Sequence, residues 1–126
     1  MHHLSDLIVR IKNATLAEKE SFSILHCNIN ENVLAVLKEY GYIKDFKKYK
    51  EGKFKYINIE IFSDDGSITD IKAVSKPGRR VYANVLDLKK RKSRLGMYVV
   101  STPKGVLSDK KAISQNIGGE ILLRVW

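Results

Sequence analysis

The excess positive charge of this sequence lies entirely in its last 51 residues, which constrains how the chain is organised. Residues 1–75 contain eleven Lys and Arg against eleven Asp and Glu. Residues 76–126 contain twelve against three, which accounts for the whole net charge of +9. Lys76-Pro77-Gly78 is turn chemistry at the same point of the chain. We therefore predict two small lobes, a neutral one over residues 1–75 and a basic one over residues 76–126.

The excess charge of the second lobe is typical of a surface that faces a polyanion. Nucleic acid, an anionic membrane and a merely solvated basic face all remain open on charge alone. The longest strongly apolar run, residues 33–37, is far shorter than the ~20 residues of a membrane-spanning helix. The first twenty residues balance three basic side chains with three acidic ones, unlike a transit or secretory peptide.

The composition is that of a soluble globular protein. Apolar residues make up 44% of the 126 residues, enough for a hydrophobic core, and the aromatic content argues against a disordered tail. Cys27 is the single cysteine. A lone cysteine excludes an internal disulfide framework and a cysteine-based zinc or iron–sulfur site, and it suits a reducing compartment.

Hydrophobic spacing predicts a first lobe with the pattern α-β-α-β-β-β. The first helix is indicated by apolar residues at i, i+3, i+4 and i+7: Leu4, Leu7, Ile8 and Ile11. Asn30 is expected to cap a second helix that ends at Gly41. Strands are predicted over residues 22–26, 43–49, 54–62 and 68–74, with turns at Glu51-Gly52 and Asp64-Asp65-Gly66.

The second lobe is predicted to be mostly β with short helices, which makes the fold class α/β (α+β) with two small lobes. Its expected elements are an extended piece at 80–82, a weak helix at 84–88, a basic run at 89–94, a strand at 97–101, a tight loop at 102–105, a short helix capped by Ser108 or Asp109 and a final strand at 121–126.

The loop Ser101-Thr102-Pro103-Lys104-Gly105 is the first candidate for ligand binding. Hydroxyls suit ribose 2′-OH groups, base edges and phosphate oxygens, and lysine suits phosphate. An ordinary hairpin loop explains the same residues equally well. The run Lys89-Lys90-Arg91-Lys92-Ser93-Arg94 would neutralise phosphates along a groove, or it is a solvated loop.

Gly118-Gly119-Glu120 precedes the last strand. Two glycines allow close backbone approach to a ligand or another chain and tolerate positive φ. Glu120 is an acceptor for a base amino group or 2′-OH, or it pairs with a neighbouring Arg. Tyr82 and Tyr98 are either stacking platforms or core aromatics.

The sequence contains no catalytic constellation, and no enzyme activity, cofactor or metal is expected. The three histidines are His2, His3 and His26. His26 and Cys27 would point to opposite faces of a strand, so they do not form a nucleophile and its base. Neither a phosphate-cradling glycine loop nor a dinucleotide fingerprint is present.

A set of short motifs in order and spacing resembles a known family. The motifs are Lys76-Pro77-Gly78-Arg79-Arg80-Val81-Tyr82, Leu95-Gly96, Val100-Ser101-Thr102, Lys104-Gly105-Val106, Gly118-Gly119-Glu120 and Val125-Trp126, with Arg10-Ile11-Lys12-Asn13-Ala14 and Gly41-Tyr42-Ile43 upstream. Together they are similar to small-subunit ribosomal protein eight in its bacterial or organellar form, over essentially the whole chain.

The resemblance implies a structural constituent of the small ribosomal subunit that binds a helix of the central domain of its RNA directly and early in assembly. Neighbouring small-subunit proteins are the other implied partners, and the implied location is the ribosome of a bacterial cytoplasm, mitochondrion or plastid. The implied RNA contacts are Ser101, Thr102, Lys104, Gly105, Gly118, Gly119 and Glu120, supported by Arg80 and Tyr82.

The chain departs from the family pattern at two places that bear on RNA. Pro103 stands where the family usually has a third hydroxyl, and proline also lacks a backbone N–H. The run that begins Lys89-Lys90-Arg91-Lys92 replaces a more apolar, glycine-containing stretch, and we expect its cations either to add phosphate contacts or to reach another part of the ribosome. The alternative function is a basic DNA-binding or assembly protein, although the basic residues are predicted to cluster in loops rather than along a recognition helix.

Overall fold

A computed structural model describes residues 3–62, 68–91 and 96–126. The chain divides into two compact units, one that ends at Thr69 and one from Asp70 to Trp126. Within the described ranges no helix is both long enough and apolar enough to cross a bilayer.

The first unit is a three-stranded antiparallel sheet with two helices. Its elements are α1 (His3–Leu16), β1 (Ser21–Leu25), α2 (Asn28–Glu39), β2 (Asp45–Glu51) and β3 (Phe54–Glu60), with the strands in the order β1-β3-β2. Ile57 and Ile59 of the central strand are fully buried, as are Leu7 and Ile11 of α1. The helices therefore cover one face of the sheet, and the predicted helical spacing of α1 is confirmed.

The second helix begins earlier than its predicted cap. Cys27 occupies the N-cap position without a side-chain hydrogen bond, and Asn30 lies inside α2, where its side chain is buried. The cap prediction for Asn30 is wrong because the chain turns directly out of β1 into the helix. Gly41 ends the helix with a φ of +78°, as predicted.

The second unit is a five-stranded antiparallel sheet with two short helices. Its elements are β4 (Ile71–Ala73), β5 (Tyr82–Ala83), α3 (Val85–Arg91), β6 (Met97–Thr102), β7 (Gly105–Ser108), α4 (Asp109–Ser114) and β8 (Gly119–Val125). The strand order is β4-β8-β6-β7, and β5 also pairs with β8. The predicted mixed α/β class is confirmed.

The strand predicted at 68–74 belongs to the second sheet, not the first. β4 pairs antiparallel with β8, with Ile71 opposite Val125. In the first sheet β1 and β2 already occupy both edges of β3, so no inner position is left for it. The predicted turn at Asp64-Asp65-Gly66 lies outside the described residues.

Lys76-Pro77-Gly78 is a turn within the second unit rather than the boundary between lobes. Lys76 and Arg79 exchange two backbone hydrogen bonds of 2.9 Å across Pro77-Gly78. β4 and β5 thus lie end to end along one edge of β8, separated by this turn. The division after Thr69 leaves the charge asymmetry unchanged, because residues 70–126 carry thirteen Lys and Arg against four Asp and Glu.

The core of the second unit lies between the sheet and its helices. Leu88 of α3 and Ala112 of α4 pack with buried side chains on one face of the sheet, namely Ala83, Tyr98, Val100 and Ile121. Ser108 caps α4 by accepting a 3.1 Å hydrogen bond from the Lys111 N–H, as predicted. Asp109, the first residue of α4, is buried beneath this cap.

Candidate nucleic-acid interface

Three candidate residues form a row across neighbouring strands. Glu120 on β8 lies directly opposite Tyr82 on β5 and directly opposite Ser101 on β6. Directly paired residues in antiparallel strands project from the same face with Cβ atoms about 5 Å apart. The sheet therefore brings together an aromatic ring, a carboxylate and a hydroxyl that are far apart in sequence.

An open groove of about 700 Å³ contains this row. The groove is bordered by the start of α3, by the loop after β6 and by Gly118-Gly119. The Tyr82 side chain is 71% exposed, which is unusual for a large aromatic residue. An exposed ring beside backbone and polar edges is suited to stacking on an unpaired or distorted base.

The two glycines are required by the protein's own backbone. A Cβ on Gly119 would lie 2.1 Å from the Ser101 carbonyl oxygen, and one on Gly118 would lie 2.4 Å from the Ala83 carbonyl oxygen. Neither glycine is among the residues of positive φ. The predicted close approach is therefore to strands β5 and β6 of the same unit, and the tolerance for positive φ is not used.

The loop after β6 is held rigid by Thr102. The Thr102 hydroxyl donates to the Gly105 carbonyl oxygen at 2.7 Å and accepts from the Lys104 N–H at 3.2 Å, and its side chain is buried. Gly105 has a φ of +113°, a conformation that favours glycine. The loop thus presents Pro103 and the exposed Lys104, whereas the Thr102 hydroxyl is already bonded within the protein.

Glu120 pairs with Arg80, one of the alternatives left open by the sequence. The Arg80 guanidinium donates to the Glu120 carboxylate at 3.4 Å, and both side chains are partly exposed. An exposed pair at this distance is weak. A ligand can therefore compete for either group at little cost.

A buried serine orients the segment that carries Arg80 and Tyr82. The Ser75 hydroxyl donates to the Ile121 carbonyl oxygen at 2.7 Å and accepts from the Val81 N–H at 2.9 Å. It joins the two ends of the 76–79 turn to β8 and leaves Lys76 and Arg79 exposed on the turn. Sequence reasoning missed Ser75, because a serine before a turn carries no local signal of burial.

The first part of the basic run lies on a helix rather than in a loop. Asn84 and Asp87 bond reciprocally to each other's backbone N–H groups at 2.9 and 3.3 Å, which starts α3. Lys89, Lys90 and Arg91 then occupy its last turn, where the helix dipole favours cations. The loop placement was therefore wrong for these three residues, and Lys92, Ser93 and Arg94 lie outside the described residues.

Tyr98 is a core residue. Its side chain is 4% exposed and lies between the guanidinium groups of Arg91 and Arg124, 5.7 and 6.0 Å from the ring centre. The Arg91 contact holds the end of α3 against the sheet. Of the two candidate aromatic platforms, only Tyr82 is thus exposed to a ligand.

Comparison with known proteins identifies one family over the whole length. The model of the family described as "Ribosomal protein S8" matches residues 2–126. "Small ribosomal subunit protein uS8" of Caulobacter vibrioides is 45% identical over 126 residues, covering 98% of this chain and 96% of the relative. The protein of the same name from Chlorobaculum tepidum is 40% identical over 126 residues, covering 98% and 95%. That from Campylobacter lari is 39% identical over 126 residues, covering 98% and 96%.

Proposed function

Because the chain belongs to the ribosomal protein S8 family, and is thus a structural, non-enzymatic protein of the small ribosomal subunit, we propose that its second unit binds a helix of the central domain of small-subunit RNA. The proposed site is the groove with the Tyr82–Glu120–Ser101 row. Binding there is direct, without a second protein, and supports early assembly of the subunit.

The row in the open groove is the observation that carries the proposal. Ser101 and Glu120 offer a hydroxyl and a carboxylate acceptor at fixed spacing, and Tyr82 offers a ring face. Such a set recognises 2′-hydroxyls, base amino groups and an exposed base, which a regular RNA duplex does not present together. The site is therefore suited to a distorted helix.

Cations around the groove contribute affinity without sequence information. Lys104 lies on the loop after β6, Lys76, Arg79 and Arg80 on or beside the 76–79 turn, and Lys89 and Lys90 on α3. Each phosphate that they neutralise releases counterions, so binding weakens steeply with salt. We assign discrimination to the row and salt-dependent affinity to these cations.

The remaining predicted residues have positioning roles in this proposal. Gly118 and Gly119 bring β5 and β6 against β8, and Thr102 with Gly105 shapes the loop that carries Lys104. Pro103 lines the groove with a rigid ring and no N–H donor. Contact at this loop position is consequently apolar.

The test is a salt titration of binding by the purified protein to two RNAs, the central-domain helix and a scrambled hairpin of equal length. We expect a preference of about 10³-fold or more that persists as salt rises. Ser101→Ala and Glu120→Gln should each lower this preference about tenfold while leaving the salt slope nearly unchanged.

Ser23→Ala is the matched control, since Ser23 is an exposed strand serine of the first unit. It should leave the preference unchanged. Equal binding of both RNAs by the unaltered protein, with affinities that fall together as salt rises, would refute recognition by the groove.

A further inference from the structure

Asn84, the residue that precedes α3, is fixed in the fold by contacts of both its backbone and its side chain. Its carbonyl oxygen accepts from the Leu88 N–H at 3.0 Å, and its own N–H donates to the Asp87 carboxylate at 3.3 Å. Its side-chain Oδ1 accepts from the Asp87 N–H at 2.9 Å. A Cβ on Gly118 would lie only 2.8 Å from its Cα. The protein itself therefore determines where Asn84 lies.

These contacts also determine which end of the Asn84 amide is available. A backbone N–H is satisfied by an oxygen, so Oδ1 is the atom turned toward Asp87 and Nδ2 is the atom turned away. The Nδ2 group makes no hydrogen bond to any residue that the structure describes. Asn84 is exposed and lines the groove. Its amide N–H groups are therefore available to a ligand in the groove.

The Asn84 amide complements the other polar groups of the groove. Among the described residues that line the groove, Asn84 alone has a side-chain nitrogen. An amide NH₂ group only donates, an ionised carboxylate such as that of Glu120 only accepts, and the hydroxyls of Tyr82 and Ser101 do either. The edge of a nucleic-acid base carries donors and acceptors in a fixed order. A groove with one fixed donor and one fixed acceptor can therefore discriminate between base edges.

The position of Asn84 relative to Tyr82 suits contact with one and the same base. The two residues flank the buried Ala83, and both are exposed along the groove. Glu120 lies directly opposite Tyr82 on β8, whereas Asn84 lies beside Gly118, which has no side chain to fill the groove. A base that stacks on the Tyr82 ring thus has an acceptor across the sheet and a donor along the chain.

We propose that Asn84 is a further specificity-determining residue of the groove, and that its amide NH₂ group donates a hydrogen bond to an acceptor atom on the edge of an unpaired RNA base stacked on Tyr82. The inference rests on the proposed function for the identity of the RNA. Phosphates are contacted by the cations around the groove, and the neutral amide reads the base. Asn84 therefore contributes to discrimination and not to salt-dependent affinity.

The first experiment compares binding of the central-domain helix and the scrambled hairpin by two Asn84 variants. Asn84→Ser keeps an oxygen that caps α3 but removes the amide, so the preference for the central-domain helix should fall about tenfold with the salt slope and melting temperature nearly unchanged. Asn84→Asp keeps the cap and the shape but turns an acceptor toward the acceptor of the base. The preference should then fall about a hundredfold.

Gln115→Glu is the matched control for Asn84→Asp. It makes the same exchange of an amide for a carboxylate in the same unit, at an exposed position outside the groove. Added negative charge at such a position weakens the binding of both RNAs alike. The preference should therefore remain that of the unaltered protein.

A second experiment separates a direct contact from a structural effect of the substitution. Central-domain RNAs are prepared with base analogues that each lack one acceptor, either with carbon in place of a ring nitrogen or with sulfur in place of a carbonyl oxygen. One analogue should weaken binding by the unaltered protein about tenfold and have no further effect on Asn84→Ser, which already lacks the bond. If every analogue weakens both proteins to the same extent, Asn84 contacts no base acceptor and the inference is overturned.

The outcomes separate the two proposals. If the unaltered protein does not prefer the central-domain helix over the scrambled hairpin, the proposed function fails. If that preference holds and Asn84→Ser retains it in full, only the role of Asn84 is overturned. Equal losses of preference in Asn84→Asp and Gln115→Glu would likewise overturn it, because the added charge alone would then account for the effect.

Discussion

The two units use charged side chains in different ways. In the first unit acids and bases bond to each other: Arg10 to Asp6 at 3.1 Å, Lys38 to Asp45 at 2.9 Å and Lys48 to Glu31 at 3.4 Å. From Asp70 onward there are too few acids to pair the thirteen cations one for one. Charge in the first unit mostly organises its own surface, whereas the second unit carries a large excess of positive charge.

The two sheets also differ in the residues at which their strands approach each other. The first sheet packs its strands through large β-branched residues such as Ile57 and Ile59. At the groove end of the second sheet, the strands approach over glycines whose missing side chains make the contact possible. A side chain added at Gly118 or Gly119 would therefore meet backbone atoms of the neighbouring segment.

The largest expected effect is at Gly119. Gly119→Ala places a methyl group against the Ser101 carbonyl, a backbone atom that cannot rotate away, so we expect a loss of about 3 kcal/mol in the free energy of unfolding. Denaturant unfolding measures it. Gly78→Ala, where no atom lies within 4 Å of the added methyl, is the control and should change stability by less than about 0.5 kcal/mol. Equal stabilities would show that the two strands separate freely at this point.

The next effect is on the pH dependence of folding stability. It should have opposite signs for Asp109 in the second unit and Glu31 in the first. Burial raises the pKa of the Asp109 carboxyl despite hydrogen bonds from the Lys110 and Tyr98 N–H groups. In the first unit, the hydrogen bond to His26 lowers the pKa of Glu31. Above its ordinary pKa of 3.8, Asp109 binds more protons folded than unfolded, so its contribution to stability falls as pH rises. The Glu31 contribution is present above 4.5 and is lost as pH falls through the lowered value.

The stabilities of the Asp109→Asn and Glu31→Gln variants should therefore change with pH in opposite directions. Relative to the unaltered protein, Asp109→Asn gains stability between pH 3 and pH 7, whereas Glu31→Gln loses it. The measurement is denaturant unfolding at pH 3, 5 and 7. Parallel shifts of the two variants would contradict the assignment of opposite environments.

The smallest effect distinguishes the exposed charges of the two units. Arg10→Ala removes an i,i+4 pair on α1 and should cost about 0.4 kcal/mol without changing RNA binding. Lys89→Ala/Lys90→Ala should do the reverse, leaving stability nearly unchanged while lowering the RNA salt slope by about 2. An unchanged slope for the α3 variant would mean that this helix faces away from the RNA.

Local patterns predicted most of the elements, and the misplaced strand at 68–74 is an error of long-range pairing. Apolar spacing identified α1, and the turn at Glu51-Gly52 is present, with a φ of +63° at Gly52. The prediction that β4 belongs to the first sheet was wrong because an apolar alternation at 68–74 fits any sheet with a free edge. The capping pair Asn84 and Asp87 was readable in the sequence and marks the start of α3.

For the candidate site, the sequence identified residue types but not their functions in the fold. Ser101 and Thr102 are adjacent hydroxyls with different environments, since Ser101 lines the groove in the row while Thr102 bonds inside the loop. The exposure of Tyr82 and the burial of Tyr98 likewise depend on which strand face meets the helices. The six lysines within residues 44–55 were hidden by averaging charge over the first 75 residues.

The position of β8 has a consequence for the order of events during synthesis. β8 follows β4, β5 and β6 in the chain and pairs with all three of them. Until its residues have left the ribosome, β4 and β5 lack the strand with which they pair, β6 pairs with β7 alone, and Glu120 cannot align Tyr82 with Ser101. The first unit ends at Thr69 and contains all the partners of its own strands. A nascent chain can therefore fold its first unit while its groove does not yet exist.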